Sequence, residues 1–144
     1  MPAVIIKTGK EHMDVQAIHR FLSEDSYWAK GISYELVDNS LQHSFCTGAF
    51  TGGQQIGFGR VITDYSTFGW FADFYVLEEY RRQGISKKIL THILAQPWAK
   101  RLRRIMLNTK DAHGLYRQFQ FRDLANPAFV QEIYRPDIHL QLPE

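Results

Sequence analysis

Phe71-Ala72-Asp73-Phe74-Tyr75-Val76-Leu77-Glu78-Glu79-Tyr80-Arg81-Arg82-Gln83-Gly84-Ile85-Ser86-Lys87-Lys88-Ile89-Leu90 changes character twice. It begins as an aromatic and β-branched run and passes through a charged turn holding one glycine. It then places Ile85, Ile89 and Ile93 at i, i+4 and i+8. The reading is strand, turn, helix. The first turn of a helix carries N–H groups with no partner inside the helix, and the macrodipole adds partial positive charge there. A phosphate is therefore held at that end without a dedicated side chain. Gly84 permits close backbone approach, and Arg81, Arg82, Lys87 and Lys88 surround the turn with positive charge. The same residues also describe an ordinary strand-to-helix connection with a solvated basic surface.

Upstream the period is that of strands. Residues 45–51, the Gly52-Gly53 turn and residues 54–63 read as a hairpin, and Asp64-Tyr65-Ser66-Thr67 turns the chain into residues 68–77. Three consecutive antiparallel strands result. Gly57 and Gly59 inside the second of them imply a bulge or a close approach of another group. Earlier still, residues 4–7 form a first strand, and Val15, Ile18 and Leu22 give residues 14–23 a helical period. Ser33 is placed to cap a second helix running to Leu41. Downstream, Gln96-Pro97 ends the motif helix, residues 104–108 read as a strand, residues 113–119 as a short helix, and residues 129–134 as a last strand. The order β-α-α-β-β-β-α-β-α-β describes an α/β protein with a mixed sheet.

At 144 residues the chain fits one compact domain over 1–144, and 44% hydrophobic residues supply the apolar material for a core. With 17 basic and 15 acidic residues the net charge is only +2, which does not point to nucleic acid as a partner. The basic run Lys100, Arg101, Arg103 and Arg104 reads as a solvated face or as attraction for an anion. A single cysteine, Cys46, excludes an internal disulfide, and no His, Cys, Asp or Glu grouping has metal-ligand spacing. No apolar run has membrane-spanning length and the start lacks a signal-peptide core, so the expectation is a soluble, cytoplasmic protein.

Val76 to Ser86 resembles motif A of the GNAT superfamily of acyl-CoA N-acetyltransferases: a hydrophobic strand end, a short acidic link, then Arg/Gln-x-x-Gly-x-Gly/Ala opening a helix. Glu78 stands where proline is common, Arg82 where glycine is common, and Ser86 where the last small residue is usually glycine or alanine. A second stretch, Leu107-Asn108-Thr109-Lys110-Asp111-Ala112-His113-Gly114-Leu115-Tyr116-Arg117-Gln118-Phe119-Gln120-Phe121, is similar to the family's region ending Leu-Tyr-x-x-x-Gly-Phe, with Gln120 at the glycine position. The resemblance implies a twisted, mostly antiparallel central sheet flanked by helices. Acetyl-CoA would be the cosubstrate, and no metal is implied.

Carried onto this sequence, the resemblance assigns roles. Arg81, Arg82, Gln83, Gly84, Ile85 and Ser86 would bind the pyrophosphate, and the backbone of Phe74, Tyr75 and Val76 would orient the pantetheine arm and the thioester carbonyl. Asn108 would contact the arm, unless it only satisfies a local turn. Tyr116 would act as general acid toward the leaving sulfur, against the alternative of a core aromatic with its hydroxyl at the surface. Tyr27 and Trp28 fall where the family builds its acceptor pocket, and Trp28 could equally staple the helices to the sheet. From the residues themselves, strand alternation puts Asp73 and Tyr75 on one face and Phe74 and Val76 on the other. Asp73 is then a base, a contact for the substrate ammonium, or half of an ion pair. His113 reads as a base or a helix cap, and Cys46 as a buried small hydrophobe.

The leading expectation is an N-acetyltransferase acting on a primary amine by direct attack in a ternary complex, with a small-molecule or peptide amine as acceptor. A homodimer is possible, and neither nucleic acid nor membrane is expected. The alternatives are a non-catalytic acyl-CoA-binding or sensing module, and a small nucleotide-binding protein. The latter is disfavoured because Gly-x-Gly-x-x-Gly and Gly-Lys-Ser/Thr are both missing from the turn.

Overall fold

A computed structural model describes residues 2–140. Five strands form one sheet in sequence order: β1 (Ile5–Thr8), β2 (Phe45–Thr51), β3 (Gln54–Thr63), β4 (Phe68–Val76) and β5 (Arg104–Leu107). The first four run antiparallel to their neighbours, and β5 joins β4 in parallel. Helices α1 (Val15–Arg20) and α2 (Tyr34–Gln42) precede β2. The later helices are α3 (Ile85–Leu94), α4 (Pro97–Arg101) and α5 (His113–Arg117). No helix among the described residues is long and apolar enough to cross a membrane.

Local chemistry places the helices where the sequence read them. Asp14 caps α1 by accepting from the Ala17 N–H at 3.1 Å, and Ser33 caps α2 by accepting from the Leu36 N–H at 3.3 Å. The chain leaves α1 through a wide helical turn, Phe21–Asp25. Ile18, Phe21, Leu22, Val37 and Leu41 pack with Phe58 and Tyr75 in one core cluster. The apolar stripe Ile85, Ile89, Leu90 and Ile93 of α3 packs with Ile56, Val61, Phe71 and Val76 in another.

The sheet contains one break that shapes everything nearby. Pairing between β3 and β4 runs from Phe58↔Tyr75 to Arg60↔Ala72, so an extra residue is accommodated in β4, and Asp73 sits at φ 59°. The insertion puts Phe71 and Phe74 on the same face, stacked with centroids 5.0 Å apart. Gly59 makes room for this, since a methyl group there would lie 2.6 Å from the Phe74 ring. The close approach expected from the glycines of β3 is thus a side chain crossing the bulge.

Parallel pairing of β4 with β5 stops at Phe71↔Leu107. From Ala72 to Val76, β4 is bonded only to β3, and a split opens between it and the chain that follows Leu107.

Two expectations are corrected. Pro97 ends α3's continuation but also starts α4, because proline lacks an N–H and fits the first helical position without loss. Residues 129–134 form no strand: a 3-10 turn, Pro127–Phe129, is followed by chain with no ladder partner. Strand propensity describes a fit to a neighbouring strand, and here none is present. Phe129 and Ile133 remain 81% and 82% exposed.

Candidate active site

The turn between β4 and α3 has the backbone shape of an anion nest. Arg82 and Gly84 both adopt left-handed conformations, with φ 64° and 78°. Among the described residues, no backbone carbonyl or side chain accepts from the N–H groups of residues 82 to 87; the first bond of the ladder is Lys88 N–H to the Gly84 carbonyl at 3.1 Å. The turn therefore offers free donors at a helix N-terminus, the part of the expectation that depends on backbone alone. Val76, Gly84, Ile85, Ser86 and Leu115 line a depression of about 220 Å³ there. Gln83 is exposed beside it. Arg81 points back along the chain, its Nε donating to the Val76 carbonyl at 2.9 Å. It fastens the turn to the strand end.

On the other side of α5, the split widens into a cleft of about 540 Å³. Tyr27, Trp28, Asp73, Phe74, Asn108 and Tyr116 all line it, although they come from four separate parts of the chain. The Tyr27 hydroxyl accepts from the Lys110 N–H at 3.2 Å, and Trp28 meets Tyr27 edge to face at 5.0 Å. These contacts tie the loop after α1 to the segment after β5. Tyr75 turns away into the core and stacks on Phe21 at 3.9 Å, so only its backbone is available to the split.

Tyr116 is 9% exposed, and its hydroxyl has no hydrogen-bond partner among the described residues. Burial, with Tyr27 and Asp111 adding to it, pushes the phenol up to about 12. It stays a proton donor throughout the neutral range.

The expectation of Asp73 as a base is revised. One carboxylate oxygen accepts from Arg60 Nε at 2.6 Å and the other from Trp28 Nε1 at 2.7 Å. Its side chain is only 10% exposed and that of Arg60 14%. Both oxygens are thus engaged by donors of the chain itself, one of them a guanidinium, and neither is left free to accept from a substrate amine. Of the readings left open, the ion pair is the one observed. Trp28 serves as a staple to β4 and as cleft wall together. Cys46 is buried, and burial pushes its thiol up to about 11, as suits a packing residue.

Trp70, Asp111, Glu132 and Tyr134 also line the cleft and were not picked out by sequence reading. Asp111 falls within the stretch Leu107 to Phe121, and its acidic character was the available signal. Glu132 and Tyr134 reach the cleft on chain with no regular structure, for which periodicity gives no signal.

The comparisons with known proteins agree with this geometry. The acetyltransferase (GNAT) family model matches residues 15–121. A Gibberella zeae protein carrying a provisional acetyltransferase name is 31% identical over 134 residues, 78% of this chain and 75% of that protein. A crystal structure from Xanthomonas campestris, provisionally named as a GNAT-family acetyltransferase, is 41% identical with a TM-score of 0.94 over 98% of this chain and 99% of that one. A predicted acetyltransferase of Clostridium acetobutylicum, solved with acetyl-CoA, shares the fold at 14% identity with a TM-score of 0.69, covering 92% of this chain and 96% of that one.

Proposed function

The chain belongs to the acetyltransferase (GNAT) family, and from that premise we propose that it transfers an acetyl group from acetyl-CoA to a primary amine, by direct attack with both substrates bound. The observation that carries this reading is the split between β4 and the chain after β5. It has a run of free N–H groups at one end and the unpartnered Tyr116 hydroxyl at the other.

When bound, acetyl-CoA supplies the acetyl group as a thioester. The N–H groups of residues 82 to 87 hold the pyrophosphate, with Arg82, Lys87 and Lys88 adding positive charge around it. The β4 edge at Phe74, Tyr75 and Val76 lies along the pantetheine arm, and Asn108 faces it across the split. Tyr116 keeps its proton until sulfur leaves and then supplies it. Asp73 is a positioning residue, acting through Trp28 and Arg60.

The acceptor is a small-molecule or peptide amine entering beside Tyr27 and Trp28. The exposed Phe129 and Ile133 support pairing with a second copy of the chain. Amine-dependent release of thiol from acetyl-CoA, with one acetylated amine formed per thiol, supports the reading. Consumption by hydrolysis alone contradicts it.

A further inference from the structure

The cleft beside Tyr116 is both aromatic and acidic, and that combination restricts what it admits. The aromatic residues Trp28, Trp70 and Tyr134 line it together with the acidic residues Asp111 and Glu132. Among the described residues neither carboxylate is in an ion pair, and no Lys, Arg or His lines the cleft. Arg60 is held by Asp73, Lys110 lies over the Tyr27 ring at 5.3 Å, and Arg117 is paired with Asp123 at 3.4 Å. His113 and Arg122 face the adjoining compartment. Tyr116, 9% exposed and with no hydrogen-bond partner for its hydroxyl among the described residues, lines this cleft and the adjoining compartment, and on the proposed mechanism it lies beside the reacting atoms.

Free carboxylates set among aromatic faces attract a cation, since charge and ring quadrupole act on the same group. The attacking nitrogen cannot be that cation, because it must lose its proton to react. We propose that the acceptor is an aliphatic di- or polyamine: one amine attacks, while a second stays protonated against Asp111, Glu132 and the rings. This rests on the acetyltransferase reading and narrows it. The C–N bond forms as the C–S bond breaks. Tyr116 gives its proton to sulfur, and the proton shed from nitrogen returns the resulting phenolate to phenol.

The test is steady-state thiol release by the full-length chain with 1,4-diaminobutane, spermidine and butylamine as acceptors, alongside an acetyl-CoA titration. The expected result is a kcat/KM for the diamine at least about tenfold above that for butylamine, expressed chiefly in KM. Glu132→Gln and Asp111→Asn, both exposed and so not expected to disturb folding, each narrow that ratio and leave the acetyl-CoA Kd in place. Equal kcat/KM for diamine and monoamine overturns the proposal while sparing the acetyltransferase reading. So does turnover confined to a lysine-containing peptide. Absence of acetyl-CoA binding, or of turnover with every amine, overturns both.

Discussion

The N–H of Phe121 donates to the carbonyl of Tyr116 at 3.2 Å, and the two rings meet edge to face with centroids 5.7 Å apart. With Gln120 N–H bonded to the Arg117 carbonyl at 3.1 Å, this is a Schellman motif closing α5, including its hydrophobic contact. The motif needs a left-handed residue, and Gln120 supplies it at φ 72°. The cap that ends α5 is therefore also what holds the ring of Tyr116, a residue of the cleft wall, against Phe121.

Gln120→Gly removes left-handed strain from that cap. It is expected to stabilise the fold by about 1 kcal/mol and raise Tm by about 3 °C, measured by thermal denaturation. A lower Tm would show that the Gln120 side chain makes a contribution larger than the strain.

Two substitutions in the turn between β4 and α3 should act with opposite signs. Arg82→Gly relieves a left-handed non-glycine residue and is expected to stabilise by about 1 kcal/mol. Gly84→Ala imposes the same strain in reverse and destabilises by about 1 kcal/mol, with no steric clash involved, since a methyl there meets nothing within 4 Å. Denaturant unfolding of both variants checks the pair, and equal signs would contradict the backbone account.

Asp73→Asn keeps a residue tolerant of φ 59° but leaves the Arg60 charge buried without its partner. The expected loss is about 3 kcal/mol, largely recovered when Arg60→Met is added. With Asp73 proposed to position Trp28 and Arg60, kcat of Asp73→Asn is expected to stay within about tenfold of the parent. Removal of a general base costs about 10²- to 10⁴-fold. A fall of that size with stability intact would restore Asp73 as the base.

Tyr116→Phe is expected to lower kcat by about 10²-fold while leaving the acetyl-CoA Kd unchanged. The pH sign follows from the raised pKa. An unfolded tyrosine ionises near pH 10 and the folded one near about 12, so its neutral form favours the native state below pH 10. That contribution is lost as pH rises through this window, and Tyr116→Phe should flatten the alkaline loss of stability. An unchanged alkaline slope would show that the phenol is not desolvated.

Much of this was readable in the sequence because local chemistry carried it. Asp14 and Ser33 cap the helices they precede, the isoleucine stripe of α3 buries as its spacing demanded, and Gly59 marks the bulge. Arg82 and Gln120 were visible as departures from the family pattern. Only the backbone angles explain why glycine is usual at both places. The contact between Trp28 and Asp73, 45 residues apart, was beyond reach, because no local period links a loop indole to a bulged carboxylate. Residues 129–134 misled for the opposite reason: their composition suits a strand, but a strand requires a neighbour.

The most direct measurement is calorimetric titration of the full-length chain with acetyl-CoA, using ADP as the control that lacks the pantetheine arm. Micromolar binding of acetyl-CoA and markedly weaker binding of ADP are expected, since the proposed site spans both the turn before α3 and the split. No binding, or equal affinity for the two, would contradict the assignment of the split to acetyl-CoA.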